Sequence, residues 1–109
     1  MLPAGLKEDL VNALRGVFGT GVSAIVLYGS AARGEQTPES DIDIALFLRD
    51  PMSREEREEM LSRLVELDWK YSLEVSVCDI QQSRFTEWAD ILPFYRNIRE
   101  EGIALWTAA

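Results

Sequence analysis

The stretch 27–48, LYGSAARGEQTPESDIDIALFL, limits what this chain can fold into more than any other part of it. It opens as an apolar strand, breaks at Gly29-Ser30, crosses a polar loop and re-enters a strand headed by two aspartates one residue apart. Side chains alternate across a strand, so Asp41 and Asp43 face the same way. Two carboxylates on one face repel each other unless a cation sits between them. Mg²⁺ prefers oxygen ligands and is usually shared between a few carboxylates and substrate phosphates. The Gly-Ser turn upstream offers backbone N–H groups and a hydroxyl, a surface suited to phosphate. Gly29 lets the backbone approach closely, and Ser30 can donate to a phosphate oxygen. The pattern describes a site for a metal-bound nucleoside triphosphate.

Several alternatives fall away on composition. The chain has no histidine, which removes Ser-His-Asp chemistry, Cys-His chemistry and any His-ligated metal. Its one cysteine, Cys78, excludes an internal disulfide and a multi-cysteine zinc site, and reads as a small buried residue. A general base or metal ligand here is therefore expected to be a carboxylate. The net charge of −8 argues against nonspecific nucleic-acid binding, which needs a basic surface. That acidity serves solubility, or seats the protein on a basic partner; charge alone does not separate the two. The 109 residues suffice for one domain, residues 1–109, and not two. Residues 1–16 mix charges with apolar side chains, so no signal peptide is expected. No apolar run reaches the ~20 residues that span a bilayer. A reduced, cytoplasmic setting without membrane association is the expectation.

In chain order, Leu6, Leu10, Leu14, Val17 and Phe18 recur at helical spacing, with Gly19 as a stop. Residues 22–28, VSAIVLY, read as a strand covered on both faces. Ala31, Ala32 and Arg33 can form one helical turn closed by Gly34, and EQTPES (35–40) is a loop by composition. Residues 41–48 form the second strand. Ser53 and Glu56 match a capping box, S-x-x-E, opening a helix that runs to about Trp69. Met60, Leu61, Leu64, Val65 and Leu67 are its expected buried stripe, and REEREE (54–59) a solvated first turn. SLEVSVC (72–78) alternates as a third strand with Glu74, Ser76 and Cys78 on one face. A short helix or turn over 81–89 follows, then a helix opened by Pro93 and stopped by Gly102, then IALW as a short edge strand. The fold class expected is α/β (α+β), a small mixed sheet of three to four strands with helices mainly on one face.

Nucleotidyl or phosphoryl transfer asks the protein mainly to position groups and supply charge. Where two metal ions bridge the attacking and leaving oxygens, about three carboxylates must converge. Asp41 and Asp43 supply two. Glu74 is the candidate third, as a metal ligand or as a base for the incoming hydroxyl, because its strand can pair with that of Asp41. Taken alone, Glu74 fits a solvated charge on an open sheet face equally well. Asp79, at the strand end, is the other candidate and is disfavoured on parity. Arg33 contacts phosphate or merely sits on the surface. Ser40 contributes to the nucleotide loop or simply caps it before Asp41.

The run GSAARGEQTPESDIDIALF resembles the signature of the DNA polymerase β-like nucleotidyltransferase superfamily, in particular its minimal nucleotidyltransferase (MNT) branch. There the signature is Gly-Ser, ten residues, then Asp-x-Asp. Gly29-Ser30, residues 31–40 and Asp41-Ile42-Asp43 fit that spacing. Ala32-Arg33-Gly34, Ser40 before Asp41, and the closing YRNIREEGIALW fit as well, so the likeness covers nearly the whole chain. The resemblance implies the superfamily's catalytic core without accessory domains. It implies transfer of AMP from ATP to a hydroxyl with one or two Mg²⁺ ions, Asp41, Asp43 and Glu74 as catalytic and metal-binding residues, and Gly29, Ser30, Arg33 and Ser40 toward the nucleotide. Many members of this branch are antitoxins paired with a HEPN-domain toxin, and some silence it by transferring AMP to a tyrosine. A HEPN-type protein partner is expected on that ground. The family's third acid is most often aspartate, so Glu74 is a departure. It leaves open a non-catalytic antitoxin-like protein whose nucleotide site is vestigial or regulatory.

Overall fold

The computed structural model describes residues 2–35, 37 and 41–108. The elements run α1 (Leu6–Phe18), a 3₁₀ turn, β1 (Val22–Tyr28), α2 (Gly29–Ala32), β2 (Ile42–Leu48), α3 (Arg54–Tyr71), β3 (Val75–Gln81), α4 (Gln82–Trp88), α5 (Pro93–Glu101) and β4 (Ile103–Thr107). The four strands form one mixed sheet in the order β3-β2-β1-β4. β1 is antiparallel to both of its neighbours, while β2 and β3 are parallel and joined through α3. No described helix is long and apolar enough to cross a membrane.

The pleat divides β2 between two cores. Ile42, Ile44, Leu46 and Leu48 meet Leu10, Leu14 and Phe18 of α1 and Met60, Leu64 and Leu67 of α3. Ala45 and Phe47 face the other way, against Ile80 of β3 and Ile98 of α5, with Phe85 of α4 packed at the edge. The two long helices therefore cover one face, as expected, and the two short ones cover part of the other. Asp43 has the parity of the second face, so the thinner helical layer lies on the side of the aspartates.

Helix α3 begins as the sequence indicates. The Ser53 hydroxyl accepts from the Glu56 N–H at 3.1 Å, and the Ser53 N–H donates to the Glu56 carboxylate at 2.9 Å. Losing such a cap costs about 1 kcal/mol. Ser53→Ala is accordingly expected to lower the melting temperature by roughly 4–8 °C, read by circular dichroism. Arg54 pairs with Glu58 and Arg63 with Glu59 one turn along, which bears out the solvated first turn.

Two expectations need correction. The buried stripe of α3 is narrower than its apolar residues suggest: Met60, Leu64 and Leu67 are buried, whereas Leu61 and Val65 are about half exposed, at 50% and 53%. At 3.6 residues per turn Met60, Leu64 and Leu67 fall within a sector of about 60°, whereas Leu61 and Val65 lie about 60° and 100° further round from Leu64. The third strand also starts later, at Val75 rather than residue 72. Helix α3 continues to Tyr71 and closes on Ser72 in the left-handed conformation (φ 52°). The Leu73 N–H then returns to the Asp68 carbonyl at 3.2 Å, and the Asp68 carboxylate accepts from the Val75 N–H at 2.9 Å. Residues 72–74 alternate like a strand in sequence but belong to the helix exit.

Candidate active site

The site is assembled where β1 ends and β2 begins. β1 delivers Tyr28 and then Gly29, which turns the chain into α2 with φ 73°. Across the antiparallel pair, Tyr28 is in register with Asp43. A Cβ at Gly29 would land on the Asp43 carboxylate, so this turn and this aspartate fit together only through glycine. Asp41 precedes the first strand residue, Ile42, and is exposed. Burial pushes the Asp43 carboxyl above its ordinary value, the negative charge of Asp41 pushes it further, and Arg33 pulls it partly back. Asp41, Asp43 and Arg33 thus form one electrostatic group, as two paired acids beside a cation should.

Arg33 follows α2 and is held at the rim. Its Nε donates to Glu35 at 2.5 Å, and its guanidinium lies 3.5 Å from Glu101 at the end of α5. Both contacts are exposed, so they orient the side chain more than they stabilise the fold. Ser30 lies in α2, partly buried. Ser40, the remaining nucleotide-side candidate, lies outside the described residues.

Glu74 stands immediately before β3. Its carbonyl accepts from the Ile42 N–H at 2.8 Å, which sets the start of β3 beside Asp41. On the same face, Ser76 is the register partner of Asp43. The Glu74 side chain is exposed. Among the described residues, no three acidic or cysteine side chains converge closely enough to hold one ion. The structure therefore brings Asp41 and Asp43 together, with Glu74 at the start of the neighbouring strand and outside their cluster. Asp79 points to the opposite side of the sheet, in register with Leu46 and 3.5 Å from Arg57 of α3, as the parity reading requires.

Sequence reasoning did not find the far wall of the site. Tyr28, Gly29, Arg33, Phe94, Asn97 and Glu101 line a cleft of about 220 Å³. Phe94 packs edge-on against Tyr28 with ring centroids 5.6 Å apart. The Tyr28 hydroxyl is pushed above its ordinary pKa by burial, and further by Cys78 and Asp43 on the same face. No local spacing links α5 to Gly29; the link appears only once β4 pairs with β1 and carries the end of α5 over the sheet.

Residues 9–106 match the family described as Polymerase beta, Nucleotidyltransferase. The chain belongs to that family. This nucleotidyltransferase is 29% identical over 102 residues to a Methanocaldococcus jannaschii protein named "Putative protein adenylyltransferase MJ0604", covering 91% of this chain and 93% of that one. Its fold is shared with a toxin–antitoxin crystal structure containing AMP-PNP (TM-score 0.63, 21% identity, 94% of this chain and 73% of that one). It is shared likewise with a complex of a tri-AMPylated Shewanella oneidensis HEPN toxin and its MNT antitoxin (TM-score 0.60, 19% identity, 94% and 71%). Against the spectinomycin adenyltransferase of Enterococcus faecialis the TM-score is 0.76 at 12% identity, over 95% of this nucleotidyltransferase and 56% of that longer enzyme. The expected class, an enzyme of nucleotidyl transfer on a mixed α/β core, is thereby established.

Proposed function

We propose that this nucleotidyltransferase moves AMP from ATP to a hydroxyl of a protein partner, with Mg²⁺, and that the partner is a HEPN-type toxin. One observation carries the reading: the register that sets Asp43 against Gly29, with Asp41 and Arg33 acting on the same carboxyl. The relative named as a protein adenylyltransferase and the neighbour holding an AMPylated toxin support the acceptor class.

The donor set fits Mg²⁺, since two hard carboxylates that repel each other leave coordination positions for phosphate oxygens. Asp41 and Asp43 would hold the ion, with Glu74 able to join from the start of the neighbouring strand. When bound, the metal neutralises charge on the phosphates and on the carboxylate pair. The chain's own residues do the rest. The N–H groups of the Gly29-Ser30 turn and the Ser30 hydroxyl take phosphate oxygens. Arg33 exchanges its exposed carboxylate contacts for the triphosphate. The acceptor oxygen attacks the α-phosphorus, the bond to pyrophosphate breaks, and the acceptor's proton passes to a carboxylate of the site, for which Glu74, exposed and outside the aspartate pair, is the candidate.

The exposed position of Glu74 outside the aspartate cluster favours one alternative, an antitoxin-like protein that neutralises by contact. The two readings separate in one assay. The protein is incubated with α-³²P-labelled ATP, Mg²⁺ and the product of the adjacent gene, with the Asp41→Asn, Asp43→Asn double variant alongside. Label on the partner with the wild type alone is the expected result. A stable complex that never acquires label would hand the site to the contact-only reading.

A further inference from the structure

Helix α3 carries a second surface that the nucleotide site does not use. Leu61, Val65 and Trp69 follow one another at four-residue steps and are 50%, 53% and 82% exposed. At 3.6 residues per turn they fall within a sector of about 80°, an apolar stripe along the helix. The stripe points away from the α1–α3 core, which takes Met60, Leu64 and Leu67, and that core lies on the opposite sheet face from Asp43. Scattered apolar side chains on a surface need no explanation, but a contiguous stripe ending in an open tryptophan marks an interaction site.

The charges on the helix say what kind of partner fits. All four cations of α3 are already engaged: Arg54 with Glu58, Arg57 with Asp79, Arg63 with Glu59 and Lys70 with Asp9. Glu56 is held in the capping box, and Asp68 accepts from Val75. Glu55 and Glu66 have no ion pair among the described residues. Both lie along the same flank of the stripe, three helical turns or roughly 16 Å apart. A second copy of the chain would bring the same unpaired acids and another net charge of −8 to the contact.

We propose that this face docks an amphipathic helix of a different protein, apolar along its centre and carrying Lys or Arg on the edge that meets Glu55 and Glu66. Three side chains cover less than the ~800 Å² a standard interface takes from each partner, so the stripe is the apolar centre of a larger contact. This inference does not depend on the proposed adenylyl transfer, because the docking face and the nucleotide site occupy opposite sides of the sheet.

The test uses two synthetic helical peptides of α3's own length, leucine along one face, flanked by lysine in one and by glutamate in the other. Binding is followed by titration calorimetry to the intact protein. The lysine peptide is expected to bind the wild type and to weaken roughly tenfold or more against Val65→Ser, Trp69→Ser, the scale of losing a buried aromatic anchor. It should also weaken against Glu55→Gln, Glu66→Gln, which leaves the apolar stripe intact. The glutamate peptide should bind far more weakly. All these positions are exposed, so melting temperature and ATP-dependent stabilisation should not change. The proposal is overturned if the lysine peptide does not bind, if its affinity ignores the apolar variant, or if the glutamate peptide binds as well. Sedimentation supplies a further refutation: a wild-type dimer that Trp69→Ser converts to monomer would assign the face to self-association.

Discussion

Asparagine in place of Asp43 is expected to reduce AMP transfer by at least ~10³-fold, about 4 kcal/mol of transition-state stabilisation, while making the protein slightly more stable at neutral pH. The two effects have one cause. Asp43 is a carboxylate held beside Asp41 and partly withdrawn from water, so its ionised form is disfavoured in the folded protein. A carboxyl whose pKa is raised on folding costs stability wherever it must be ionised, and the cost vanishes once the pH falls below the unfolded value near ~4. Asp43→Asn should therefore melt a little above the wild type at pH 7, and the difference should close as the pH drops toward the carboxylate range. Added Mg²⁺ and ATP should raise the wild-type melting temperature and leave the variant nearly unmoved. A variant that transfers AMP at the wild-type rate, or one that melts lower at neutral pH, would show that Asp43 is not the strained centre of the site. Glu74 provides the contrast. It lies outside the cluster, so Glu74→Gln should leave melting unchanged and act on transfer alone. Glu74→Asp distinguishes a ligand, whose placement suffers when shortened, from a base that merely needs to reach the acceptor.

Much of this arrangement is legible in the chain itself, and the reason is local. Gly29-Ser30 and Asp41-x-Asp43 bracket a strand turn whose chemistry is written in consecutive residues. The strand Val22–Tyr28 and the start of α3 at Ser53 are likewise fixed by short-range rules, a β-branched apolar run and a capping box. What the sequence concealed depends on tertiary competition. The apolar residues of α3 span more of its circumference than one sheet face can cover, so Leu61 and Val65 stay outside although they are as hydrophobic as Leu64. Ser72, Leu73 and Glu74 alternate as well as any strand, yet the left-handed cap at Ser72 and the Asp68 carboxylate claim them for the helix exit. Phe94, Asn97 and Glu101 reach the cleft beside Gly29 through the β1–β4 pairing, a contact between the first and last strands that no window of sequence contains.

Gly29 carries the other large expected effect, and Gly34 is its internal control. Both have positive φ, 73° and 72°. A side chain in that region costs about 1–2 kcal/mol in backbone strain alone. At Gly34 an added Cβ meets nothing within 4 Å. Gly34→Ala should show only the backbone cost and keep its activity. At Gly29 the same methyl group collides with the Asp43 carboxylate, so the aspartate must leave its place or the β1–α2 turn must open. Gly29→Ala should then lose more stability than Gly34→Ala, with a fall in melting temperature on the order of 10 °C, and should lose transfer together with the Mg²⁺- and ATP-dependent stabilisation. Replacing Asp43 as well resolves the cause. In the Asp43→Ala background the nearest contact of the new Cβ becomes the Cβ of residue 43, at 3.3 Å, which small shifts accommodate. The extra cost of Gly29→Ala should shrink there to that of Gly34→Ala, giving a coupling of about 1 kcal/mol or more between the two positions. Equal costs in both backgrounds would mean that the glycine serves the turn and not the carboxylate, and that the ten-residue spacing to Asp41 reflects loop length rather than the fit between Gly29 and Asp43.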